Sequence, residues 1–186
     1  MAGTFLVAIA FVIRAVASLY ILVLLLRLFL PWVRADFHNP LAQAILRLTS
    51  PLVVPVRRLL PPIGRIDTAT VVVAFAVQYL AVLVTMLLNG VRPRVIPIVI
   101  TSCIELLLLT INLFFWLIII RVVLSWVGGG SYNPAIAMIH ALTEPLLRPV
   151  RRLIPPLGGL DISAVVVSIA LISLTIIVNG LRIYAT

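Results

Sequence analysis

The sequence predicts an all-α membrane protein: four transmembrane helices as two parallel repeats, each with an interfacial amphipathic helix and a Pro/Arg-rich loop. Three observations carry that prediction. Hydrophobic residues make up 63% of 186 and charged residues 10%, with a mean hydropathy of +1.29, whereas a soluble domain is about half apolar and a quarter charged. A span-length window of ~20 residues finds four candidate crossings. The stretch PLVVPVRRLLPPIGRID at 51–67 returns as PLLRPVRRLIPPLGGLD at 145–161, with eleven of seventeen positions identical.

The spans are expected at about 5–30, 68–88, 95–120 and 162–178. The first is longer than one bilayer needs and must tilt or protrude. Ala15-Val16-Ala17-Ser18 resembles a leader cleavage site, but no basic residue precedes the apolar run and Arg14 interrupts it, so a retained anchor is expected. Asp67 and Asp161 are expected to N-cap the second and fourth spans. Asn89-Gly90 and Asn179-Gly180 are expected to stop them.

The repeat keeps one offset. Adding 94 takes Arg27 to Arg121, Trp32 to Trp126, Asn39-Pro40 to Asn133-Pro134 and Asp67 to Asp161; from 39 to 73, 19 of 35 positions match. Two span–loop–span copies joined by one turn run in the same direction, giving halves 1–90 and 91–186. Within each loop, Asn-Pro reads as an N-cap and first helical residue. Leu41, Ala44, Ile45 and Leu48 then share one face of a short interfacial helix that Pro51 ends, and Ile136, Ile139 and Leu142 repeat it.

The net charge of +9 comes from fourteen arginines without a lysine. Most lie in loops beside spans, so anionic lipid head groups, rather than nucleic acid, are the expected partner. The two motif loops hold eight arginines (Arg34, Arg47, Arg57, Arg58, Arg65, Arg148, Arg151 and Arg152), and the opposite side three (Arg92, Arg94 and Arg182). The positive-inside rule then puts the loops in the cytoplasm and the termini outside. The single cysteine, Cys103, lies in a span and excludes an internal disulfide.

Candidate functional residues follow from the repeated motif. Pro55, Pro61 and Pro62 flank Arg57-Arg58, and Pro149, Pro155 and Pro156 flank Arg151-Arg152. Prolines fix backbone angles and remove amide donors, so the arginines are expected on stiff segments at the membrane surface. There they can bind lipid phosphate, an acidic segment of a partner, or Asp67 and Asp161; they serve equally well as topology determinants snorkelling to head groups. Arg27 and Arg121 end the first and third spans, as interfacial anchors or as partners of the same two aspartates.

Inside the membrane, Arg14 and Glu105 fall three residues apart in the repeat frame, at depths matching within ~5 Å. An uncompensated charge there costs at least ~2.5 kcal/mol, so a contact between them is expected, against the bland alternative of a snorkelling arginine and a protonated acid. Gln78 and Asn112 are expected to bond between helices, and Ala164 and Ser168 to form a small-residue contact. His38 and His140 stand apart from other ligands, so no metal or cofactor is expected. No nucleophile has a base beside it, so enzymatic activity is not expected.

The doubled P-x-R-R-x-x-P-P-x-G-x-x-D pattern, the Asn-Pro before it and the Arg-x-x-x-x-Trp ahead of that resemble the YggT family of small bacterial membrane proteins, related to the YlmG proteins of Gram-positive bacteria and plastids. The resemblance covers nearly the whole chain; the first copy has Arg65 where the second has Gly159. It implies an inner-membrane protein of two similar halves, associated with osmotic-shock tolerance or, in relatives, with division-linked membrane organisation or cytochrome maturation. Three roles follow as expectations: a non-enzymatic factor acting through lipid or a membrane-protein partner, an oligomeric ion or solute pathway lined by Arg14, Gln78, Glu105 and Asn112, and an assembly factor for other membrane proteins.

Overall fold

The computed structural model describes residues 2–32, 39–127, 133–153 and 161–184. These residues form six helices and a terminal 3-10 turn: α1 (Ala2–Phe29), α2 (Pro40–Leu59), α3 (Thr68–Leu88), α4 (Val95–Val127), α5 (Pro134–Leu153), α6 (Ile162–Gly180) and the turn Leu181–Tyr184. Four of them, through Thr4–Phe29, Thr68–Leu88, Val95–Trp126 and Ile162–Gly180, are long and apolar enough to cross a membrane. This is a multi-pass membrane protein.

Local chemistry explains most of the boundaries. Asn39 caps α2 by accepting from Leu41 N at 2.9 Å, and Asn133 accepts from Ala135 N at 2.8 Å, each with proline next, as expected. Gly90 stops α3 with φ 71°, a conformation that costs glycine nothing. Between α2 and α3 the chain reverses through Ile63–Ile66, where the two residues exchange backbone hydrogen bonds of 3.1 and 3.0 Å and Gly64 takes φ 61°. That reversal delivers Asp67 to the start of α3.

Four expectations are corrected. Pro51 does not end the loop helix: α2 runs through Pro51 and Pro55, and α5 through Pro145 and Pro149, so both Arg-Arg pairs occupy last helical turns rather than non-helical segments. The reason is positional. Pro51 and Pro55 lie on the exposed side of α2, while Ala42, Ile45, Thr49 and Val53 are buried. The carbonyls that lose their donors therefore open outward, where a polar environment can solvate them. The apolar face expected of the interfacial helix is divided: Ile45 is buried with Ala42, Thr49 and Val53, whereas Leu41, Ala44 and Leu48 are exposed. The span expected to stop at Ile120 continues to Val127, carrying Arg121 inside the helix. Lastly, α6 ends at Gly180 without the expected left-handed residue: Asn179 and Gly180 are both helical and the chain tightens into the 3-10 turn.

Three apolar clusters hold these helices. Leu24, Val53, Ala69, Val73 and Ala74 join α1, α2 and α3. Ile104, Leu108, Ile118, Leu147, Val167 and Leu171 do the same for α4, α5 and α6. The third spans both halves, with Ile21, Leu25, Ala42 and Ile45 against Leu113, Leu117, Met138 and Leu142. Asn39 Nδ2 adds a 2.8 Å hydrogen bond to the Pro134 carbonyl. Val53→Ala should therefore lower the unfolding free energy by about 2 kcal/mol, from lost methyl burial and the cavity left, while Pro55→Ala on the opposite side should leave it equal or raise it. Denaturant titration of both variants in detergent checks the pair.

Candidate functional site: a duplicated arginine–carboxylate network

Each half closes around a span arginine. In the first, Arg27 at the end of α1 is 4% exposed. Its Nη1 donates to Thr49 Oγ1 at 2.7 Å and Ser50 Oγ at 3.3 Å on α2, and its Nε lies 3.7 Å from Asp67 Oδ2. Thr49 is held in place by donating its own hydroxyl to Ile45 O at 2.6 Å. Asp67 also accepts from Arg57 and, at 2.7 Å, from Thr70 Oγ1. One carboxylate thus serves two guanidiniums from two helices. Arg27 Nε and Asp67 Oδ1 are buried without a hydrogen bond, so the charges are matched by proximity rather than by complete pairing.

The second half keeps the positions and changes the wiring. Arg121 Nη1 donates to Thr143 Oγ1 at 2.8 Å, the position equivalent to Thr49. Its Nη2 reaches Glu144 Oε2 at 3.0 Å, where the first half has Ser50. Glu144 also pairs with Arg151 at 3.4 Å, and Arg151 pairs with Asp161. Glu144, rather than Asp161, is therefore what links the two arginines.

Electrostatics follow from these contacts. Burial pushes the Asp67 carboxyl up, but hydrogen bonds from Arg57 and Thr70 and the charges of Arg57 and Arg27 outweigh it and hold it below the ordinary carboxylate range. Asp161 behaves alike: burial raises it, while Arg151 and Ser163 bring it lower. Arg151 is raised, first by its bond to Asp161. Asp161 caps α6 as expected, accepting from Ser163 N at 3.2 Å. Asp67 occupies the cap position of α3 without a side-chain cap bond, a correction, because Arg57 and Thr70 take the carboxylate instead.

The Arg-Arg pairs are thereby split. Arg57, 44% exposed, and Arg151, 32% exposed, pair with the aspartates, whereas Arg58 and Arg152 are exposed and pair with no carboxylate among the described residues. Pro61 and Pro62 lead into the turn after α2, and Thr68 Oγ1 donates to Pro61 O at 2.8 Å; Pro155 and Pro156 lie outside the described residues. The sequence suggested none of Thr49, Thr143 and Glu144. Their spacing of 22 or 23 positions from the span arginines, kept at the offset of 94 for the threonines, was the available signal.

At the other end of the spans, the expected Arg14–Glu105 contact does not form. Glu105 accepts from Gln78 Nε2, the interhelical bond expected of Gln78, and from Arg182 Nη2 at 3.3 Å. Arg182 reaches it because α6 is short and the 3-10 turn folds back toward α4. Asn112 makes no side-chain hydrogen bond among the described residues, so its expected interhelical bond is absent. Arg14, Glu105, Gln78 and Asn112 nevertheless line one cavity of about 320 Å3. Ala164 and Ser168 line an apolar groove between α4 and α6. Among the described residues no three His, Cys, Asp or Glu side chains gather as a metal site would require.

Among the described residues, six helices, four of them able to cross a membrane, with paired arginine–carboxylate networks, define a multi-pass membrane protein. The model of the CCB3/YggT family matches it twice, at residues 6–88 and 100–182, and the chain belongs to that family. It is 43% identical to an uncharacterized protein of Pseudomonas aeruginosa over 163 residues, covering 87% of this chain and 83% of the relative. A Vibrio alginolyticus protein described as lying in the proC 3' region is 40% identical over 164 residues, 87% of this chain and 88% of the relative. The Escherichia coli protein YggT is 35% identical over 162 residues, 87% and 84% respectively. No solved structure matches.

Removing one partner from a buried ion pair costs about 3–5 kcal/mol. Asp67→Asn should therefore destabilise by about 3 kcal/mol. Asp161→Asn should cost less than half of that, because its side chain is 34% exposed and Arg151 keeps Glu144. Equilibrium unfolding in detergent distinguishes them. A carboxyl depressed in the folded state stabilises above its unfolded value of about 3.9 and loses that contribution as pH falls through the folded pKa. Stability should accordingly decline with acidification below about pH 4, and Asp67→Asn should flatten that decline in a pH series.

Proposed function

We propose that this protein is a non-enzymatic membrane factor that holds anionic lipid against one face of the bilayer through α2 and α5, and by this route supports osmotic-shock tolerance in the bacterial inner membrane. The single observation carrying the reading is the division within each Arg-Arg pair: one guanidinium paired with an aspartate, the other exposed and without a carboxylate partner among the described residues.

The surface of α2 supports it. At 3.6 residues per turn, Leu41, Leu48, Leu52 and Leu59 form one exposed apolar stripe, while Arg47 and Arg58 form a second beside Pro51 and Pro55. A helix with a leucine edge and an arginine edge lies along the head-group boundary. A groove of about 570 Å3 runs between Arg47, Pro51 and Pro55. Its arginine suits a lipid phosphate, and the Arg47 and Pro51 carbonyls, which lack their usual proline-position donors, suit a head-group hydroxyl or ammonium. The arginine asymmetry supports a cytoplasmic side for both networks and a periplasmic side for the termini.

Each arginine near an anionic surface contributes about 1 kcal/mol, or about fivefold in affinity. Arg58→Gln with Arg152→Gln should cut the phosphatidylglycerol and cardiolipin retained by the purified protein by about that factor per lost charge, as read by native mass spectrometry. The same variant should fail to restore osmotic-shock survival to cells lacking the gene. Equal lipid retention would remove the reading. The polar cavity around Glu105 favours a second one, an oligomeric ion or solute pathway; reconstituted vesicles whose ion flux disappears with Glu105→Gln would select it.

A further inference from the structure

We infer that the cavity between the two halves is a binding site for a small oxyanion, a carboxylate or phosphate group carrying one negative charge. Its walls come from four spans and the terminal turn: Arg14 and Ser18 of α1, Gln78 of α3, Glu105 and Asn112 of α4, then Asn179 and Arg182. Counting along α1 and α4 from Arg27 and Arg121, its lining residues lie about 13–24 Å from the arginine networks. In a hydrocarbon core about 30 Å thick, that places it in the opposite half of the membrane from the head-group surface proposed above.

Polar groups at this depth are costly unless something satisfies them. Glu105 and Gln78 satisfy each other, and Arg182 joins them. The remainder do not. Arg14, Ser18, Asn112 and Asn179 line the same cavity and make no side-chain hydrogen bond or ion pair among the described residues. One carboxylate stands against two guanidiniums, leaving one positive charge, which decides the sign of the occupant. The guanidinium supplies a forked donor matched to a planar or tetrahedral oxyanion, and the amide and hydroxyl groups supply further donors. About 320 Å3 is the size of a small-ligand site.

The repeat adds an independent reason. Ser18 and Asn112 are the same position in the two halves, and so are Arg14 and Leu108; all four line this cavity. The cavity thus sits where the halves meet, and its charge arises where they differ, with Arg14 opposite Leu108, Glu105 replacing Phe11, and Gln78 replacing Ile172. A purely structural junction needs no such charged substitutions.

The site can be filled by a free anion or by the head group of a lipid in that leaflet, and one experiment separates them. The protein is placed in phosphatidylcholine nanodiscs, and the Nε–H signals of Arg14 and Arg182 are followed by NMR during titration with acetate and with inorganic phosphate. A parallel series replaces part of the phosphatidylcholine with phosphatidylglycerol. A saturable shift of both arginines in the first series identifies a soluble anion; one in the second series alone identifies a lipid. In either case Arg14→Gln should weaken binding at least about tenfold, the loss of one charge-assisted hydrogen bond. Asn112→Leu, which removes one amide donor from the lining and leaves both arginines, should weaken the binding that the shift reports, whereas Arg58→Gln with Arg152→Gln should leave the shift unchanged. No saturable shift in either series, or a shift indifferent to Arg14→Gln and Asn112→Leu, overturns the inference.

Discussion

A guanidinium at the end of one span, buried and answered by a carboxylate or threonine from the next elements, is the constraint around which each half is built. Arg27 cannot reach water easily at 4% exposure, and a buried charge without a partner is far more costly than a paired one. Among the described residues, the groups that answer it lie on α2 and at the start of α3, so those elements close over α1. The same necessity brings α5 onto Arg121 through Thr143 and Glu144. Apolar burial holds the helices together and shares in setting their rotation. The ion network adds directional contacts between specific atoms.

That network also explains why proline-containing helices persist. A proline inside a helix costs about 3 kcal/mol, and α2 and α5 each carry two. The helices survive because one face is committed to arginine and apolar contacts while the prolines occupy the other. Loss of two amide donors on the outward side then becomes a chemical property of the surface: unpaired carbonyls beside exposed arginines.

The halves share a plan and divide the work unequally. Leu142 is buried at the junction while its counterpart Leu48 is exposed, so the leucine edge that is continuous on α2 is interrupted on α5. Glu144 in place of Ser50 gives the second network an extra carboxylate and relieves Asp161 of its bridging role. Charge has entered the membrane interior at positions where the two copies no longer match, around Arg14 and Glu105.

Composition and periodicity were sufficient for the membrane class, the four spans and the Asn-Pro helix starts, because these depend on local transfer energies and on the chemistry of one or two neighbouring residues. Gly90 was legible for the same reason. The repeat in the sequence likewise identified Arg27, Arg57, Asp67 and their counterparts as residues that belong together. Their pairing was decided elsewhere. Which arginine of each pair meets the aspartate depends on the rotation of α2 and α5, and that rotation is set by Thr49, Val53, Thr143 and Leu147 packing against other helices. Helix continuation through Pro51 was hidden because a local proline penalty says nothing about which side of a helix is left exposed. Glu105 found Arg182 rather than Arg14 because a short α6 brings the chain end back into the bundle, a long-range event no window along the chain can register.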